Sequence, residues 1–255
     1  MANSDVEGAL TGPQRAALRD RGYVVLPGLV PRVRYEAALT AINASLGRGV
    51  RPEDVARFRA RSFCPELQKT EVILDLFRET AASRAAASLV GGDGLERVTT
   101  GQIALSFPAE GGARKPPYPH IDGLYTPDNG VPAGSVLSFT MLAGVVLSDV
   151  TTPHAGNLVA WPGSHRVLEA HFRARGPKSL LEGMPDIDLG NPEPVLARAG
   201  DVVLCHYQLA HAAGPNTSPH VRYAVYFRLK RKGHDRQKWE CLTDVWREWP
   251  GLRTE

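Results

Sequence analysis

Apolar positions change their spacing partway along the chain. Up to about residue 95 they recur at helical intervals, and from about 97 to 230 they gather into short runs typical of strands. Thr11-x-x-Gln14 is a capping-box pattern, with Pro13 in the first turn and Gly22 where that helix stops. Residues 23–27 read as a short strand. A second helix starts at Pro31, sets Tyr35, Leu39, Ile42 and Leu46 on one face and ends at Gly47. Helical spacing returns over 69–90, closing at Gly91-Gly92. Strands are then expected at 97–107, around His120, and at 136–147, 157–161, 201–207 and 222–229. A helical stretch at 167–174 and an irregular excursion to Pro194 fall between them. Trp239, Leu242, Val245, Trp246 and Trp249 stand at helical spacing and predict a C-terminal helix packed on the body.

Helices first and many short strands afterwards fit one α+β domain whose β part is a double-stranded β-helix, or jelly roll. The expected division is a mostly helical part over 1–95, a jelly-roll core over 96–232 and a helical tail over 233–255. A chain of 255 residues, 43% hydrophobic and 22% charged, is long enough for a sizeable core. A net charge of +3 is too weak to imply a nucleic-acid partner. The basic run from Arg228 to Lys238 reads as a solvated turn after a strand, with a phosphate-binding patch as the alternative.

Cys64, Cys205 and Cys241 form no Cys-x-x-Cys and no disulfide framework, so a cytoplasmic location is expected. Residues 1–7 lack the features of a signal peptide, and no apolar run is long enough to span a bilayer. In segment 48–66, Arg48, Arg51, Arg57, Arg59 and Arg61 interleave with Phe58 and Phe63. That composition suits either a basic surface loop with two anchoring aromatics or a lid over a pocket.

The chemistry centres on His120-Ile-Asp122. Residues two apart on a strand face one side, so this edge offers an imidazole and a carboxylate together. A distant histidine would complete the two-His-one-carboxylate set that binds Fe(II) and leaves other positions open. His211, at the end of a strand-like segment, is the candidate; His206, five residues earlier and on the opposite face of an extended chain, is its rival. Arg222 follows across a Gly-Pro-Asn-Thr-Ser-Pro loop. An inward arginine there needs an anion, which a dicarboxylate co-substrate chelating the iron could supply. His165 follows a Pro-Gly turn and reads as structural, and His154, His171, His220 and His234 read as surface residues. Gln102, Tyr118, Tyr125 and Trp161 flank the expected mouth, as lining or as packing.

Gly22-Tyr-Val-Val-Leu-Pro-Gly28, His120-x-Asp122, Gly156…Pro-Gly-Ser-His165 and Gly200-Asp201-Val…His211…Arg222 together span most of the chain. This set resembles the phytanoyl-CoA dioxygenase family of Fe(II)- and 2-oxoglutarate-dependent oxygenases. The resemblance implies a jelly-roll enzyme with His120, Asp122 and His211 as catalytic iron ligands and Arg222 on the distal carboxylate of 2-oxoglutarate. Gln102 and Trp161 are further cofactor-binding candidates. It further implies O₂ as co-substrate, succinate and CO₂ as products, and hydroxylation of an unactivated C–H bond in a small molecule of specialised metabolism. No nucleic-acid or membrane partner is expected. Two alternatives stand beside it. One is a demethylase of alkylated nucleic-acid bases, suggested by the Arg222/Arg228 pair. The other is a metal-binding jelly-roll isomerase or binding protein that does not use 2-oxoglutarate.

Overall fold

The computed structural model describes residues 9–91, 94–109 and 116–253; the expectations placed on residues 1–7, on Gly92 and on much of the 108–117 loop lie outside them. Helix α1 (Gly12–Arg21) opens with a reciprocal capping box. The Thr11 hydroxyl accepts from the Gln14 amide at 3.4 Å, and the Gln14 side chain accepts from the Thr11 amide at 2.8 Å. It closes at Gly22, whose φ of 80° and close approach to the His165 ring exclude a side chain: a Cβ would lie 2.6 Å from Nδ1. Strand β1 (Tyr23–Leu26) follows, then α2 (Arg32–Leu46), which buries Ala38 and Ile42.

A short α3 (Val55–Ala60) precedes the helical stretch expected as one piece over 69–90. That stretch is two helices, α4 (Glu71–Arg78) and α5 (Ala81–Val90). The break is at Thr80, whose hydroxyl donates to the Leu76 carbonyl at 2.9 Å while accepting from the Ala82 amide at 3.3 Å, so one side chain ends the first helix and caps the second. Of the two aromatics in segment 48–66, Phe63 is fully buried and its amide donates to the Ile103 carbonyl at 2.9 Å, which makes it part of the core.

The strands form two antiparallel sheets. The larger has the order β1-β6-β3-β8-β2, with β2 (Gln102–Ser106), β3 (Met141–Val146), β6 (Val202–His206) and β8 (Arg222–Leu229). The smaller has the order β5-β4-β7, with β4 (Leu158–Ala160), β5 (Glu193–Pro194) and β7 (His211–Ala213). Between β4 and β5 runs α6 (Ser164–Arg175). The strand expected over 97–107 pairs regularly only from Gln102 onward, and the apolar run 136–147 only from Met141 to Val146.

Alternation along the larger sheet separates two apolar layers. Met141, Ala143, Val145, Val202, Leu204, Val225 and Phe227 pack with the helices. Leu142, Val146, Val203, Cys205 and Tyr226 pack with the smaller sheet and α6. Strand β3 is therefore buried on both faces, which explains why its sequence lacks a polar alternation.

The C-terminal helix expected from the tryptophan spacing is broken. The tail holds two one-turn helices, α7 (His234–Gln237) and α8 (Glu240–Thr243), then a 3₁₀ turn at Pro250–Leu252. The reason is tertiary: the Val245 carbonyl is engaged by the buried His206 ring at 2.8 Å, and Trp246 and Trp249 pack against that same ring. His234, expected at the surface, is likewise buried. Its Nε2 is 2.9 Å from the Ser138 hydroxyl and its Nδ1 is 2.8 Å from Glu248, which also accepts from Thr140 at 2.6 Å. Burial pushes the Glu248 carboxyl up, but these bonds outweigh it and hold it below its ordinary value. No helix among the described residues is long and apolar enough to cross a membrane.

His234→Ala leaves the buried Glu248 carboxylate short of its main partner. It should destabilise the protein by about 3 kcal/mol in urea unfolding, whereas His220→Ala, at an exposed position, should change stability little.

Candidate metal centre

His120 and His211 stand directly opposite each other as an antiparallel bridge. Each amide donates to the other's carbonyl, at 3.0 and 2.9 Å, which turns both side chains to one face with ring centroids 4.7 Å apart. The expected regular strand through His120-x-Asp122 is absent: His120 makes only this bridge, and the chain turns immediately after Asp122. Ile121 is buried and anchors the turn from below. Gly123 has a φ of 83° and sits so close to the backbone of Leu137 that a Cβ would lie 2.2 Å from its oxygen. The turn therefore needs glycine, and it delivers the Asp122 carboxylate between the two imidazoles.

Nε2 of His120 and Nε2 of His211 each lie 3.7 Å from Asp122 Oδ1, and one ligand atom from each of the three residues falls within 4.8 Å of the others. The His211 Nδ1 lies 2.9 Å from the Leu209 carbonyl, so Nδ1 carries a proton and Nε2 faces the cluster. Two imidazole nitrogens and one carboxylate oxygen on one side of a small space suit a divalent first-row transition metal with further positions open.

The charges are mutually adjusted. Desolvation, then the neighbouring His211, pushes His120 down to about 4, so it is neutral near neutral pH. Burial alone raises the Asp122 carboxyl, but Arg228, His211 and His120 outweigh it and hold it well below the usual carboxylate range. Burial likewise lowers His211, yet the Asp122 carboxylate reverses this and leaves His211 above the ordinary histidine value. Protons therefore compete with a metal for His211 more strongly than for an ordinary histidine.

Arg228, placed by its sequence in a solvated basic run, belongs to this cluster. Its Nη2 and Nε lie 2.8 and 3.0 Å from Asp122 Oδ2. Its signal was strand parity: Arg222, Ala224, Tyr226 and Arg228 share the inward face of β8.

Arg222, only 6% exposed, donates through Nε to the Gly156 carbonyl at 2.7 Å and through Nη1 to the Ala104 carbonyl at 3.0 Å. Nη2 has no partner among the described residues, and no described carboxylate pairs with this guanidinium. It is the one charged side chain lining an otherwise mostly apolar cavity between the sheets, with Val146, Val150, Leu158, Val203 and Tyr226. His120, Asp122 and His211 do not line that cavity. Gln102 lies opposite Tyr226 on the inward face of β2, and Trp161 is buried beside the β4–β7 pair; among the described residues neither hydrogen-bonds to the His-Asp-His cluster. Tyr118 and Tyr125 are exposed on either side of His120-x-Asp122.

His206 has no nitrogen to spare: Nε2 meets the Val245 carbonyl at 2.8 Å and Nδ1 accepts from the Gln208 amide at 3.0 Å. His165, at the start of α6, bonds the Arg19 carbonyl at 3.1 Å through Nε2.

The sequence matches the family described as phytanoyl-CoA dioxygenase over residues 18–224, most of the chain. No curated protein matches it. Among solved structures, the non-heme α-ketoglutarate-dependent epimerase SnoN from nogalamycin biosynthesis is 20% identical with a TM-score of 0.58, covering 86% of this chain and 79% of that one. The carbocyclase SnoK from the same biosynthesis is 24% identical with a TM-score of 0.57, covering 86% and 83%. HygX from Streptomyces hygroscopicus, with nickel and 2-oxoglutarate bound, is 20% identical with a TM-score of 0.58, covering 87% of each chain. At such identities the likeness is one of fold.

His211→Ala is expected to abolish binding of a divalent metal and His206→Ala largely to keep it, as read by calorimetric titration. The reverse result would remove His211 from the centre. Because the His211 proton competes with metal, affinity should also drop as the pH falls through the raised His211 value, by up to about tenfold per unit below it. A flat pH profile would show that His211 does not bind the metal.

Proposed function

The chain belongs to the phytanoyl-CoA dioxygenase family, and from that premise we propose that it is an Fe(II)- and 2-oxoglutarate-dependent oxygenase that hydroxylates an unactivated C–H bond of a small molecule in specialised metabolism. The observation that carries this reading is the convergence of His120, Asp122 and His211 on one small space, together with a separate buried arginine, Arg222, that lines a cavity between the sheets and has no carboxylate partner among the described residues. We read the two sheets as a jelly roll within a single domain, and the protein as cytoplasmic.

In this reading His120, Asp122 and His211 hold the metal from one side, and Arg222 receives the distal carboxylate of 2-oxoglutarate. Fe(II) with 2-oxoglutarate supplies oxidative decarboxylation by O₂, releasing succinate and CO₂ and providing the oxidising equivalent for the C–H bond. The protein contributes position and charge. Two carbonyl contacts hold the Arg222 guanidinium in place before any ligand arrives, leaving Nη2 for a carboxylate. Gln102, Tyr226 and Trp161 are the side chains that would shape the interior, and Tyr118 and Tyr125 would flank the substrate entrance.

A second reading keeps the oxidation directed at a C–H bond and changes its outcome. SnoN is named an epimerase and SnoK a carbocyclase, so inversion or ring closure can follow on this fold. Succinate formation with Fe(II), O₂, 2-oxoglutarate and small-molecule candidates tests the class, and product mass separates the outcomes, since only hydroxylation adds one oxygen. A protein that binds neither Fe(II) nor 2-oxoglutarate would refute the proposal.

Arg222→Ala should weaken 2-oxoglutarate binding by about 3 kcal/mol, roughly a hundredfold or more, with a much smaller effect on metal affinity; an unchanged Kd would remove Arg222 from the site. With Asp122 in place, no position at the metal is vacated for a halide. Mass spectrometry in excess chloride should therefore find hydroxylated and not chlorinated product, and a chlorinated major product would overturn the hydroxylase assignment.

A further inference from the structure

The two oxygens of Asp122 have different neighbours. Oδ1 faces both histidine Nε2 atoms, at 3.7 Å each. Oδ2 faces only Arg228, which reaches it with Nη2 at 2.8 Å and Nε at 3.0 Å. Both donors converge on the same oxygen, and the guanidinium also lies over the Phe139 ring, 5.9 Å from its centroid. Arg228 is rooted in β8 with its side chain 39% exposed, and it reaches an Asp122 side chain that is 14% exposed.

We propose that Arg228 is a positioning residue that keeps Asp122 a one-oxygen metal ligand and so preserves the open positions the co-substrate and O₂ require. The inference rests on the functional reading above. A six-coordinate metal held by three protein atoms has three positions left. A chelating 2-oxo acid takes two, and O₂ needs the third. A carboxylate is free to bind through both oxygens, and if Asp122 did so it would occupy one of those three.

Two N–H donors on Oδ2 oppose that swing, because chelation would break both charge-assisted bonds and leave a guanidinium beside a cation. Arg228 touches neither substrate nor the reacting atoms in this account. It acts through Asp122. Lysine at this position would keep one donor on Oδ2 and methionine none, while both keep an unbranched stem.

The test counts exchangeable water on the metal in the full-length protein, loaded with Mn(II) and followed by water-proton relaxation. Arg228→Met should bind Mn(II) yet carry one fewer exchangeable water than wild type, and Arg228→Lys should restore the wild-type number. On the Fe(II)-loaded protein without O₂, Arg228→Met should lose about tenfold or more in 2-oxoglutarate affinity while its metal affinity changes less. If Arg228→Met does not fold, Arg228→Ala carries the same expectation. Metal-loaded Arg228→Met with the wild-type water number would overturn the proposal alone. Wild-type protein that takes up no Mn(II) or Fe(II) would overturn the functional reading with it.

Discussion

The site depends on a buried carboxylate that stays ionised. Desolvation works against the charge on Asp122, and it is offset by Arg228 from β8, His211 from β7 and His120 from the bridge opposite β7. Only His120 is near Asp122 in sequence; His211 and Arg228 are far from it. The charge is therefore tolerable only when the two sheets have closed on each other, and the cluster is as much a product of the completed fold as of its residues. Removing Arg228 would take from the Asp122 carboxylate the partner that does most to offset its burial.

Strand β8 serves both layers at once. Val225, Phe227 and Leu229 fill the core beneath the helices, while Arg222, Ala224, Tyr226 and Arg228 face the smaller sheet. A register slip of one residue would put both arginines into the helical core, so the apolar layer enforces the orientation of the polar one. Two glycines make room for this face. A Cβ on Gly144, opposite Tyr226, would meet that ring at 2.7 Å, and one on Gly156 would crowd the Arg222 Cβ at 3.2 Å. Gly156 thus approaches closely enough for its carbonyl to hold the guanidinium.

The histidines show how one residue type is divided among roles by what its two nitrogens meet. His206 spends both on backbone, and His234 spends both on Ser138 and Glu248, so each ties the tail to the strands. His211 spends only Nδ1, on the Leu209 carbonyl, and keeps Nε2 for the cluster. Proteins named for epimerisation and for ring closure share this fold, and a fold by itself does not fix the outcome of the chemistry.

Much of this was legible in the sequence where the physics is local. The capping box at Thr11, the stop at Gly22, the strand over 222–229 and the grouping of His120, Asp122 and His211 follow from spacings of a few residues or from motifs. What could not be read depends on partners far apart in the chain. Arg228 opens a basic run; parity could turn it to the inward face, but the partner that gives it a role, Asp122, is over a hundred positions away. His234 resembles a surface residue until Ser138 and Glu248 enclose it, and the tail loses its helix because its carbonyls and rings are drawn to His206. Local spacing determined the elements and the donor types. The closure of two antiparallel sheets decided which charges meet, because a buried charge is stable only beside partners that the folded chain alone brings within reach.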